Sequence, residues 1–374
     1  MIILIHPPVA KPSEPPAGIA RLCGALNHHG MRYEVLDANL EGLLSVLKAS
    51  PIPSDTWTSR AVRHLSKHLA SLSCWDAYQD DGRYRRAVMD LNRILEMAVR
   101  SGRLRLGLAN YEHEELTPTK STDLIRAAET PEDNPFYPYF EKRLIDLLNS
   151  QQPSVIGFSI NYLSQALSTF AMIGFLRREC PRVKLVLGGG LITSWLRRPH
   201  WKSPFDGLVD HLVSGPGEIP LLSLMGAKPS GDMHYSPHYD SLPLKRYFAP
   251  GPILSYSSSS GCYWNRCSFC PERAEGNPYI PVPVETGIAD ILHLVDKQKP
   301  VLIHLLDNAI SPSMMKRSTA KNTVPIRRSG GQAEPLANKY LPLSSLARSD
   351  GWILVPPDSE GYSSGSPVQI RPWP

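Results

Sequence analysis

Through residues 1–226 short apolar runs alternate with amphipathic stretches, the pattern of a parallel sheet whose faces are covered by helices. Ile2–Ile5 reads as a first strand, Ala17–His29 as a helix with Ile19, Leu22, Cys23 and Leu26 on one face, and Tyr33–Leu36 as a second strand. The pattern returns with a strand over Val155–Ile160, a helix over Ser164–Arg178, a strand over Lys184–Leu187, a last strand near Leu208–Ser214 and a helix over Glu218–Met225. The expected class is α/β with a doubly wound sheet. Residues 41–150 interrupt it with helical patterns over Arg60–Leu72, Tyr84–Arg100 and Tyr139–Leu148, a stretch too long for an ordinary loop. Trp57, Trp75 and Tyr78 within this insertion are expected in its core, and no catalytic signature is visible there. Ala227–Pro252 is rich in Pro, Gly, Ser and Tyr without periodicity and reads as a tether between two domains. Beyond it the pattern predicts a strand over Ile253–Ser257, a helix over Glu285–Val295 and a strand over Val301–Leu306. That last run is continuously apolar, so burial on both faces is expected.

In a doubly wound sheet ligands gather outside the carboxyl ends of the strands, so the loops there are the informative ones. The first strand runs into a stiff proline-rich turn, His6 to Pro16; the third into Ser159, Asn161 and Tyr162; the fourth into Gly188, Gly189 and Gly190; the fifth into Gly215, Gly217 and Glu218. Glycine lets a backbone approach a ligand closely, and it equally serves a tight strand-to-helix turn. No G-x-G-x-x-G follows the first strand, which excludes a dinucleotide fingerprint.

Charge narrows the partners. The net charge of +5 is spread over many Lys and Arg without a long basic run, so a nucleic-acid partner is not expected. No apolar run approaches the roughly 20 residues of a membrane span, and the start lacks a signal peptide's basic region. A cytoplasmic location with no membrane partner is therefore expected. Cys23, Cys74 and Cys180 lie far apart and read as small buried hydrophobes in a reducing compartment.

The other three of the six cysteines are packed into Cys262-Tyr263-Trp264-Asn265-Arg266-Cys267-Ser268-Phe269-Cys270. Three thiolates on one short loop can each bind a different iron of a cubane, leaving the fourth iron open to a small molecule. A structural zinc site is the competing reading; it needs a fourth ligand, no cysteine lies downstream of Cys270, and His293 and His304 are the available donors.

This loop resembles that of the radical S-adenosylmethionine (SAM) superfamily, in which an aromatic residue stands immediately before the last cysteine; Phe269 fills that place. The resemblance implies a [4Fe-4S] cluster on Cys262, Cys267 and Cys270, SAM bound to the open iron, an external one-electron reductant, and Phe269 near the adenine. The first gap between cysteines has four residues where the commonest pattern has three. By the same resemblance polar residues at the ends of barrel strands face the cofactor. Asp307 and Asn308 are then SAM or substrate contacts, with capping of a following helix as the alternative. Placed before such a loop, residues 1–40 and 153–226 resemble the Rossmann-like cobalamin-binding domain of B12-dependent radical SAM enzymes. That implies cobalamin against Ser159, Asn161, Tyr162, Gly188, Gly189, Gly190, Gly215, Gly217 and Glu218. The D-x-H-x-x-G motif of B12 mutases does not occur. His28-His29-Gly30 falls at a helix end, so cobalamin is expected without a histidine ligand from the protein.

The barrel implied by the resemblance does not finish. Six βα units would need on the order of 180–200 residues, yet 104 follow Cys270, and residues 317–374 hold 8 Pro, 5 Gly and 9 Ser without a helical or alternating pattern. Only Trp352–Val355 reads as a strand. The break falls at Met315-Lys316-Arg317. The expectation is an incomplete (βα) barrel over 253–316 and an irregular tail that is out of frame, with a natural short form and disordered tail as the alternative. The implied activity is radical methyl transfer or rearrangement on an unknown small molecule; the rival is a remnant that binds corrinoid or an iron–sulfur cluster without turnover.

Overall fold

The computed structural model describes residues 1–374 except 50–52, 54, 100–102, 230–233, 311–321, 330, 337–348, 356–361, 363–364 and 372–374. In chain order the first elements are β1 (Ile2–His6), α1 (Ala17–His28), β2 (Tyr33–Asp37), α2 (Ala38–Lys48), α3 (Thr56–Arg63), α4 (Leu65–Leu72), α5 (Trp75–Gln79), α6 (Asp81–Ala98), β3 (Leu104–Leu106), β4 (Tyr111–His113), α7 (Ser121–Glu129) and α8 (Tyr137–Gln151). Next come β5 (Val155–Ser159), α9 (Leu163–Glu179), β6 (Lys184–Gly188), α10 (Gly190–Leu196), β7 (His211–Leu212) and α11 (Glu218–Leu224). The remainder holds β8 (Ile253–Tyr256), β9 (Ser259–Ser260), α12 (Pro271–Ala274), β10 (Ile280–Pro281), α13 (Val284–Gln298), β11 (Leu302–Leu305), β12 (Asn322–Ser329), β13 (Gln332–Pro335) and β14 (Gly351–Val355).

The α/β class stands. Five strands pair in parallel in the order β2-β1-β5-β6-β7. Strand alternation sends Ile3, Ile5, Ile156, Phe158, Leu185 and Leu187 into one core and Ile2, Leu4, Val155 and Val186 into another, so both faces are covered. This is why β1 and β5 read as unbroken apolar runs. Helices of the 41–150 insertion close the first face, joined to α2 by Arg143 Nε and Tyr139 Oη on the Glu41 carboxylate at 3.0 and 2.9 Å. On the second face α1 and α11 pack over the strands, and Gly157 of β5 leaves a gap beside Leu4 that a methyl group would close.

Several expectations are corrected. The helix expected over Arg60–Leu72 is two, α3 and α4, separated at His64, and the strand near Leu208–Ser214 shortens to β7. The hairpin β3–β4 was not expected. Trp57 and Trp75 are exposed, since each helix of the insertion has a solvent face and these rings lie on it; Tyr78 is half-buried, its hydroxyl donating to Leu72 and Phe248 carbonyls. Cys74 is exposed, whereas Cys23 is buried and Cys180 half-buried. The described part of 227–252 is no loose tether. Tyr235, Tyr239, Leu242, Tyr247 and Phe248 are buried, Tyr239 Oη donates to the Ser255 carbonyl, and Tyr247 Oη donates to Asp37 at 2.5 Å. The segment is a strap held by its aromatic residues.

Beyond the strap, β8 and β11 pair in parallel, while β9 and β10 form a short antiparallel ribbon. The burial expected for Val301–Leu306 fails: His304, Leu305 and Leu306 are exposed, because among the described residues β11 pairs with β8 alone. The irregular tail is corrected as well. Its described residues include β12 between β13 and β14, all antiparallel. The break at 315–317 lies outside the described residues.

Candidate functional site

The loops at the carboxyl ends of β5, β6 and β7, with the first turns of α1, face the segment that carries the three clustered cysteines, and between them lies a cavity of about 660 Å³. That is ample for a cofactor-sized ligand. Leu4, Gly157 and Val186 form its floor on the sheet. Ser159, Asn161, Gly188, Gly189, Gly190, Gly215, Gly217 and Glu218 line one side, and Asp307 and Asn308 line the other. Ser257, Ser260 and Gly261 before the cysteine loop, and Pro271, Glu272 and Glu275 after it, complete the wall. Tyr162, 58% exposed, and Phe269, 87% exposed, are not among the lining residues. Cys262, Cys267 and Cys270 are free, half-buried thiols on the loop beside the cavity.

A hydrogen-bond lattice sets the first wall. Gln165, fully buried at the start of α9, accepts from the Asn161 and Tyr162 amides at 2.9 and 3.1 Å and donates to the Pro7 carbonyl at 2.8 Å, tying the loop after β5 to the turn after β1. Its amide lies 3.5 Å from His6 Nδ1; burial holds that imidazole below its usual range, against the opposing pull of Asp37. Asn161 Oδ1 accepts from the Gly190 amide at 2.9 Å, and Thr193 Oγ1 accepts from Gly215 while donating to the Gly189 carbonyl, both at 2.9 Å. Glu218 is buried with Arg21 of α1 on its carboxylate at 2.6 Å. Gly189 stands at φ 104°, and a β-carbon there would press on the Ile160 carbonyl oxygen and lie 2.8 Å from its nitrogen. Gly189→Ala is expected to cost about 1–3 kcal/mol of stability, measured as the urea midpoint. Gly215, at φ 72° with open space around it, should accept asparagine with little loss.

The second wall is joined to the first through polar side chains. Ser194 of α10 donates to Glu275 at 2.5 Å, Asn277 donates to Glu275 and Glu272 at 3.0 and 2.9 Å, and Asn308 donates to Glu272 at 3.0 Å. Asp307 accepts from the Ser258 amide and hydroxyl at 2.9 and 2.8 Å and from the Ser259 hydroxyl at 2.7 Å, which organises the entry to the cysteine loop. Neither residue caps a described helix. Arg21, Gln165, Glu272, Glu275 and Asn277 were not foreseen. Glu272 directly after Cys270-Pro271 was the available signal; Arg21 and Glu218 lie nearly 200 positions apart and gave none.

Among the described residues no three His, Cys, Asp or Glu side chains are gathered about one point to hold a single metal ion. No described helix is long and apolar enough to cross a membrane.

Comparison with known proteins gives three findings. A family profile described as the MoeA C-terminal region (domain IV) matches residues 319–373, the part that contains β12, β13 and β14. No curated protein matches the chain. Among solved structures, the radical S-adenosylmethionine methyltransferase TsrM from Kitasatospora setae, with cobalamin and a [4Fe-4S] cluster bound, is similar at 16% identity and TM-score 0.41, covering 84% of this chain and 50% of that one. The same enzyme with tryptophan substrate and a SAM analog (aza-SAM) gives 15% identity, TM-score 0.41, and 84% and 49% coverage. The chain thus spans about half the length of the solved structures it matches.

Proposed function

We propose that the chain is a radical SAM-type protein in which Cys262, Cys267 and Cys270 carry a [4Fe-4S] cluster, SAM binds beside them, and cobalamin occupies the cavity. Its activity on this reading is methyl transfer or rearrangement on a small molecule, with an external one-electron reductant. One observation carries the reading: a single cavity touches both the strand-end loops of the parallel sheet and the two flanks of the cysteine loop. A corrinoid and a cluster-bound SAM must share one space if they act on one substrate.

The donor set suits a cubane better than zinc. Zinc wants four donors converging tetrahedrally on one point, whereas the ligands of a cubane attach to separate irons and stand apart. Three free, half-buried thiols on one short loop, with no further cysteine downstream of Cys270, suit the second arrangement. When bound, cluster and SAM together supply a 5′-deoxyadenosyl radical for hydrogen abstraction. The chain's part is positioning: Asp307 holds the approach to the loop, Asn308 and Glu272 shape the SAM side, and the backbone at 188–190 and 215–217 offers a close approach to the corrin face.

The test is anaerobic reconstitution with iron and sulfide, low-temperature EPR of the reduced protein with and without SAM, and assay of 5′-deoxyadenosine. Binding of hydroxocobalamin is followed by visible absorbance. A [4Fe-4S] signal altered by SAM, with 5′-deoxyadenosine formed, supports the reading. A signal indifferent to SAM removes catalysis by this chain and leaves a second reading, a binding remnant without turnover. That second reading is favoured by β11 pairing with β8 alone among the described residues, followed by an antiparallel sheet of different character.

A further inference from the structure

One face of α13 packs on the β8–β11 pair and the opposite face is bare. Gly287, Asp290 and Leu294 are buried, and Ile291 and Leu294 join the core that holds Leu254 and Tyr256 of β8 and Ile303 of β11. At 3.6 residues per turn Glu285, Ile288, Leu292 and Val295 fall in one stripe on the far side, and Lys299, the residue that ends the helix, extends it. Leu292 is 63% exposed, more than any other large aliphatic residue among those described, and Val295 is 43% exposed. A lone exposed leucine needs no explanation. Two apolar side chains on consecutive turns, with the half-buried Ile288 one turn before them, make a seam.

The charges at the ends of the seam say what covers it. Glu285 and Lys299 have no charged partner among the described residues, although the neighbouring Lys297 is held by Asp240 at 2.5 Å. A two-fold axis at Leu292 matches residues equally far from it on two antiparallel helices. Glu285, seven positions before Leu292, then meets Lys299, seven positions after it, once on each side of the axis. Val295 comes level with Ile288 and Ala289 of the other helix, and Asp296 on the rim meets no acidic residue. A parallel pair would instead set Glu285 against Glu285 and Lys299 against Lys299, and like charges so placed are unfavourable. Antiparallel helices also bring opposite ends of their dipoles together. The surface is thus complementary to itself, as a two-fold interface must be.

We propose that this face of α13 is a homodimer interface, in which the helices of two copies lie antiparallel with Leu292 at the axis and Glu285–Lys299 ion pairs at both ends. The seam is short, so the dimer is reversible and forms with rising concentration. None of the stripe residues lines the cavity, so pairing leaves the proposed cofactor site open.

The experiment is sedimentation equilibrium of the full chain from about 5 to about 200 µM, a range suited to a transient interface. A reductant keeps the exposed Cys74 from cross-linking copies. No cluster, SAM or cobalamin is needed, so the result is independent of the proposed function. The average mass should rise from 41.5 kDa toward twice that value. Leu292→Glu should weaken association about tenfold or more, as loss of one buried leucine on each copy demands, with the far-UV circular dichroism unchanged. Glu285→Lys and Lys299→Glu should each weaken it several-fold, and the two together should restore it. A monomer at every concentration would leave the face to a different protein and overturn the proposal. So would a dimer indifferent to Leu292→Glu, or a double charge reversal that recovers nothing.

Discussion

Replacing Cys267 by alanine should abolish both the SAM-perturbed cluster signal and the formation of 5′-deoxyadenosine, a loss beyond ~100-fold, since changing mere outer-shell partners already costs 10–100-fold at metal sites. On the proposed reading each thiol of the loop holds a separate iron, so two remaining ligands cannot keep the cubane and its open iron in place. Cys262→Ala and Cys270→Ala should behave alike. The other cysteines supply the control. Burial pushes the Cys23 thiol up to about 12, and burial also raises Cys180, whose Sγ donates to the Leu176 carbonyl, so neither offers a ready thiolate. Cys74 is exposed but stands on the helical insertion, away from the cavity lining. Cys180→Ala and Cys74→Ala should leave the EPR signal intact. A signal surviving in Cys267→Ala, or lost in Cys74→Ala, would falsify the ligand assignment.

The second large effect falls on folding. Asp290 of α13, its side chain 6% exposed, accepts from His234 Nε2 at 2.7 Å, from Tyr256 Oη at 2.9 Å and from Ser236 Oγ. His234 and Ser236 belong to the strap and Tyr256 to β8, so one carboxylate joins three segments. Burial alone would raise its pKa, but the hydrogen bonds from His234, Ser236 and Tyr256 outweigh it and hold the group below the ordinary carboxylate range. Asp290→Ala strands the buried Tyr256 hydroxyl and releases the half-buried His234 and exposed Ser236 donors, and should cost about 1–3 kcal/mol, the penalty of leaving a buried donor unpaired. Denaturant unfolding measures it. The pH dependence follows from the sign of the shift. A carboxyl with a folded pKa below its unfolded value contributes stability that is complete above about pH 4 and is lost as pH falls through the folded pKa. In Asp290→Asn that acid-side slope should flatten. An unchanged slope would show that the strap is held by its buried tyrosines instead.

Much of this molecule was legible in order of residues alone. Ile2–Ile5, Val155–Ile160 and Lys184–Leu187 announced buried parallel strands because a strand covered on both faces has no room for polar positions, and the glycine turn after Lys184–Leu187 lies at the end of the sheet where the cavity is. Three cysteines within nine residues were visible as a group because their spacing is local, and the cluster they are proposed to hold follows from that spacing. What tertiary structure decided is everything carried by distant partners. Val301–Leu306 looked doubly buried, yet burial depends on what stands beside a strand, and β11 has β8 alone among the described residues. The strap looked like a linker because its aromatic anchors follow no period; their partners, Asp37, Ser255 and the α1 surface, lie elsewhere in the chain. The tail concealed β12, β13 and β14 because proline and serine mask alternation in short antiparallel strands. The cavity and the Arg21–Glu218 pair could not be foreseen for the same reason. Periods of 2 and 3.6 residues are written locally, whereas the meeting of two side chains nearly 200 positions apart is set only when α1 and α11 are packed over the sheet.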